Sequence, residues 1–133
     1  MRKLENENLN RDGFAMLKRW MENRNAGKTF ADYFHECGYR TIGICDAGEI
    51  GRLLYEEIKN SDIVVRYFAD RNAEGLRMID KVPVVPLSRI PDMEEVDVLV
   101  ISPIMDYDAV CSLLAEKDPA IRTLSLKEAV YEF

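Results

Sequence analysis

The stretch Arg40-Thr-Ile-Gly-Ile-Cys45, continued by Asp46-Ala-Gly-Glu-Ile-Gly51, decides how this chain folds. A short β-prone run enters a turn with two glycines. Ile50, Leu53, Leu54 and Ile58 then recur at helical spacing up to Asn60-Ser61. A strand that passes straight into a helix returns to its sheet in parallel, so this unit predicts an α/β architecture.

The alternation continues toward the C-terminus. Asp62-Ile-Val-Val-Arg-Tyr-Phe-Ala69 reads as a second strand, closed by Asp70-Arg71-Asn72. Val82-Pro-Val-Val85 reads as a third, and its internal proline, which has no N–H to donate, suits an edge. Val96-Asp-Val-Leu-Val-Ile101 is nearly continuous in apolar residues, as a strand covered on both faces should be. Asp106 caps a helix carrying Ala109, Val110, Leu113 and Leu114, and Ile121-Arg-Thr-Leu124 is a last strand. Ser125 with Glu128 then forms a capping box ahead of Ala129, Val130 and Phe133. The expected fold over residues 39–133 is a Rossmann-like open parallel sheet of about five strands, ordered 3-2-1-4-5.

Toward the N-terminus, residues 1–8 are polar and expected to fray. Leu9, Gly13, Met16, Leu17, Trp20 and Met21 then share one helical face, and Asn25-Ala26-Gly27 ends that helix. Thr29 and Asp32 form a box-like cap for a second helix, striped by Phe30, Tyr33, Phe34 and Cys37 and stopped by Gly38. Residues 1–38 are thus a two-helix arm. Its large apolar side chains either pack back on the sheet or supply a homodimer or partner interface.

The composition fits one soluble domain. The chain has 133 residues, 47% of them apolar and 32% charged, too few for a nucleotide domain joined to a full-sized substrate domain. Eighteen Lys and Arg against 24 Asp and Glu give a net charge of −6, which speaks against nucleic acid as a partner. Cys37, Cys45 and Cys111 form no CxxC, and the single histidine, His35, is expected on the surface, so no metal site is predicted. No run is long and apolar enough for a membrane span, and a cytoplasmic protein with reduced thiols is expected.

The turn after the first strand is where a dinucleotide fingerprint would sit. Gly48 and Gly51 occupy its second and third glycine places, and Asp46 stands at the first. Asp70 ends the second strand 19 residues after Gly51, where an acidic side chain would meet ribose hydroxyls. The plain alternative is a tight turn that needs small residues and binds nothing. Charge weighs on the choice, because Asp46 and Glu49 bring two carboxylates to the loop, with Arg52 and Arg71 near enough to compensate. A unit charge near 4 Å costs a bound anion about 1–4 kcal/mol, against roughly 1 kcal/mol returned by the helix N-terminus. Repulsion wins if both carboxylates face the crevice; a weakened site survives if Glu49 points outward.

Gly43-Ile-Cys-Asp-Ala-Gly-Glu-Ile-Gly51, Phe68-Ala-Asp-Arg-Asn72 and Lys81-Val-Pro-Val-Val-Pro-Leu87 together resemble a Rossmann-like domain of bacterial polysaccharide-biosynthesis proteins. That domain precedes the catalytic part of nucleotide-sugar dehydratases and epimerases, and the β-helix of some sugar acyltransferases. The resemblance covers about residues 40–125, and Asp46 replaces a glycine of the family pattern. It implies a nucleotide-sugar or dinucleotide site at Ala47, Gly48, Glu49, Ile50, Gly51 and Asp70, with NAD(P) or a UDP-sugar as ligand.

Ser102-Pro-Ile-Met-Asp-Tyr-Asp108 follows the fourth strand, at the switch point where ligands enter such sheets. It places Ser102 and Pro103 in reach of a phosphate or ribose and offers Tyr107 for stacking. Against this stand helix capping by Asp106, first-turn stabilisation by Asp108 and a packed tyrosine. Tyr55 and Lys59 have the spacing of an oxidoreductase pair but read as an exposed helix face. Cys45 reads as a small core residue, and Glu56-Glu57 with Asp92, Glu94 and Glu95 as solvated surface. No residue set supports catalysis within the chain. The expectation is a nucleotide-binding module of surface-polysaccharide synthesis, with two alternatives: a dimerisation or partner module whose ancestral site has decayed through Asp46, and an oxidoreductase half completed by a second chain.

Overall fold

The computed structural model describes residues 2–71, 77–117 and 120–133, with residues 2–10 and 12 described by backbone alone. Helices α1 (Arg2–Asn25) and α2 (Phe30–Cys37) lead into β1 (Thr41–Cys45) and α3 (Glu49–Ile58). Strands β2 (Val64–Asp70), β3 (Arg77–Ile79) and β4 (Val82–Pro86) follow, then a 3-10 helix over Leu87–Asp92. The chain closes with β5 (Val98–Ile101), α4 (Tyr107–Lys117), β6 (Thr123–Ser125) and α5 (Leu126–Glu132). Asn72, expected to close the second strand, lies outside the described residues.

The α/β class stands, but the sheet differs from the expected one. Among the described residues it has six strands in the order β3-β4-β2-β1-β5-β6, and β3 pairs antiparallel with β4 while every other pair is parallel. The missed strand belongs to a hairpin whose two turn residues, Asp80 and Lys81, both have positive φ (49° and 73°). Asn-Gly or Asp-Gly would have announced such a turn; Asp-Lys does not. The hairpin also moves Val82–Pro86 off the edge. Pro83 is tolerated there because β4 enters register with β2 only from Val84, opposite Phe68.

Side chains alternate across the sheet. Ile42, Ile44, Phe68, Val98 and Val100 face α1, α2, α3 and α5, and Cys45, Tyr67, Ala69, Leu99 and Ile101 face the 3-10 helix and α4. Gly43 has a steric reason: a Cβ there would lie 2.6 Å from the Tyr67 ring, which fills the space over β1. At the amino ends of the strands, the Asp97 carboxylate accepts the N–H groups of Arg40 (2.7 Å) and Thr41 (3.0 Å). These two bonds hold the Asp97 carboxyl below the usual range.

The arm shares its core with the sheet. Phe30 is ringed by Trp20, Phe34 and Phe133 at centroid distances of 5.3, 5.6 and 4.9 Å, in the span where aromatic pairs attract. Asn23 Nδ2 donates to the Val130 carbonyl at 2.9 Å, and the Tyr33 hydroxyl donates to Glu132. Four expectations need correction. Helix α1 begins at Arg2, so residues 2–8 are helical and not frayed. Among its described side chains the buried face is Met16, Trp20 and Asn23, which leaves Leu17 and Met21 outside, while the side chain of Leu9 lies outside the described residues. Cys37 is exposed at the end of α2. Tyr55 and Glu57, expected on a solvated face, point inward: Tyr55 packs edge-on against Phe68, and the Glu57 side chain is 4% exposed. The rotation of α1 follows from Glu57, whose Oε1 accepts the Trp20 indole N–H at 2.8 Å and whose Oε2 accepts the Phe30 N–H at 2.8 Å. None of the described helices is long and apolar enough to cross a membrane.

Candidate functional site

The carboxyl ends of β1, β2 and β5 are adjacent, since Cys45 lies opposite Ala69 on one side and Ile101 on the other. This register brings together Asp46–Gly51, Asp70 with Arg71, and Ser102 with Pro103. The residues singled out in the sequence therefore share one end of the sheet, and their chemistry turns on Asp46.

Asp46 is fully buried. Its Oδ1 accepts the Gly48 N–H at 2.6 Å and its Oδ2 accepts the Gly51 N–H at 3.0 Å. Gly48 is the N-cap of α3 and has no side chain to cap with, so the carboxylate two residues earlier does that work. A charged acceptor at this end of a helix gains from the dipole as well as from the two hydrogen bonds. Asp70 does the same one residue along: its Oδ2 accepts the Ala47 N–H at 3.0 Å. Arg52 closes the turn from the other side, its Nε donating to the Ala47 carbonyl at 3.0 Å. Three backbone N–H groups of the turn are thus held by the chain's own carboxylates.

The glycines fit this arrangement closely. A Cβ at Gly51 would lie 1.8 Å from the Asp46 carbonyl oxygen, and one at Gly48 would lie 2.9 Å from Asp46 Oδ1. Glu49 is exposed in the first turn of α3 and Ile50 is half-buried against the core. The N–H groups of Glu49 and Ile50 are not among the partners of Asp46, and first-turn N–H groups have no acceptor within their own helix.

Arg71 is exposed beside the turn. Ser102 is buried, its N–H directed at the Cys45 carbonyl at 3.4 Å, and Pro103 is half-buried after it. Asp106 Oδ1 accepts the Ala109 N–H at 3.1 Å, and the Tyr107 hydroxyl pairs with Thr123 Oγ1 at 2.9 Å, so both serve the packing of α4. Cys45 is buried, and burial with the neighbouring Asp46 and Asp70 charges pushes its thiol up to about 12. A thiol held so far above neutrality is no nucleophile. His35, on the surface as expected, shares the Asp62 carboxylate with Arg40, at 2.6 and 2.7 Å. Among the described residues no cluster of His, Cys, Asp or Glu could hold a metal ion.

No family model, no curated protein and no solved structure matches this chain. What can be said of its site therefore comes from its own residues.

Reading the sequence alone missed a second feature. A groove of about 600 Å³ runs between α1 and α3, lined by Leu17, Trp20, Met21, Arg24 and, across from them, Leu53 and Glu57. Glu57 has no free oxygen there, since it holds Trp20 and Phe30 and pairs with Arg24 Nε at 3.2 Å. Asn25 lines it as well, and its apolar part is Leu17, Trp20, Met21 and Leu53. Its signal is present in the sequence as an apolar surplus on α1, Leu17 and Met21 beyond Met16 and Trp20, on the face expected either to pack on the sheet or to supply an interface.

Proposed function

We propose that this chain is a Rossmann-like module that acts through a protein interface, with its glycine turn closed by its own carboxylate. The observation behind this reading is the Asp46 carboxylate on the Gly48 and Gly51 N–H groups, at 2.6 and 3.0 Å, in the place a phosphate would take. A phosphate brought to this turn would meet a buried, hydrogen-bonded negative charge. At an effective dielectric of about 20 that repulsion is on the order of 4 kcal/mol near 4 Å, above what the helix N-terminus returns.

A second reading keeps the ligand. Asp46 leaves the Glu49 and Ile50 N–H groups unclaimed, and these would meet a phosphate further out, with Ser102 on the phosphate side and Asp70 toward the ribose hydroxyls. On that reading the ligand is a nucleotide sugar or NAD(P), as the family resemblance implies, and the setting is the cytoplasmic stage of bacterial surface-polysaccharide synthesis.

Thermal shift at low salt separates the two, with NAD, NADP, CoA and UDP-sugars as probes. A ligand at about 100 times its dissociation constant adds roughly 2.7 kcal/mol to stability, a shift of several degrees in a domain of this size. The interface reading expects no shift for the wild-type chain at millimolar ligand. A clear shift with one nucleotide class, larger still in Asp46→Gly, would establish the second reading in its place.

A further inference from the structure

We draw no further inference here: the strongest candidate, the apolar groove between α1 and α3, carries none because exposed charges of both signs flank it on each helix, Lys18 with Glu22 on α1 and Arg52 with Glu56, itself paired with Lys59 at 2.7 Å, on α3, so nothing among the described residues shows what covers it.

Discussion

The glycine turn after β1 and the groove between α1 and α3 invert each other. The turn carries the signature of a ligand site, yet Asp46 and Asp70 hold the Ala47, Gly48 and Gly51 N–H groups. The groove carries the composition of a core, yet Phe14, Met21 and Leu53 stand in solvent. A polar site whose groups are already paired has little to offer a ligand, and an apolar face left uncovered gains by being covered. The comparison teaches that residue types mark a site only together with what their atoms already touch.

Gly51→Ala would break the turn's side of this contrast with the largest effect. Its Cβ would lie 1.8 Å from the Asp46 carbonyl oxygen, so β1 and α3 must separate. A loss of about 3 kcal/mol or more is expected, seen in chemical denaturation. A wild-type midpoint would mean the turn is far looser than described.

Glu57→Ala tests whether the wall of the groove is built as described. It strands the Trp20 indole N–H and the Phe30 N–H, each now 2.8 Å from a carboxylate oxygen, and should cost about 2–4 kcal/mol. Glu57→Gln, which keeps one acceptor oxygen, should cost less. Trp20 fluorescence would report whether the arm has shifted.

Asp46→Asn sharpens the comparison from the other side. The amide can accept from Gly48 or Gly51 but not from both, so a loss of about 1–2 kcal/mol is expected, as for a weakened N-cap. A variant more stable than the wild type would show that the buried charge is kept for a purpose other than capping.

Asp97→Asn gives the smallest effect and a pH signature. The folded-state carboxyl lies below its usual range because Arg40 and Thr41 donate to it. Its stabilising contribution is therefore present above the unfolded carboxylate value near pH 4 and is lost as pH falls through the lowered folded value. Melting temperatures of variant and wild type should differ at pH 7 and converge in acid. A gap that persists at low pH would trace the loss to something other than ionisation.

Much of the architecture was legible because periodicity and caps are local. Thr29 Oγ1 accepts the Asp32 N–H, Ser125 Oγ accepts the Glu128 N–H, and Gly38 ends α2 at φ 82°, as spacing predicted. The hairpin was not legible, because Asp80-Lys81 adopts a conformation that its residue types rarely announce. The rotation of α1 was not legible either. Leu17 and Met21 satisfy the helical pattern as well as Met16 does, and a long-range bond from Trp20 to Glu57, 37 residues apart, decides which are buried. At the turn, the sequence places Asp46, Gly48 and Gly51 together, but not the direction of a carboxylate.

Among the described residues the sheet ends in β3 on one side and β6 on the other, and each is only three residues long. One is the outer limb of a tight hairpin, and the other runs directly into α5. A template that short offers few backbone groups to an incoming strand, so growth by edge-to-edge pairing is suppressed. Fibrillar assembly by that route is thereby disfavoured in the folded state.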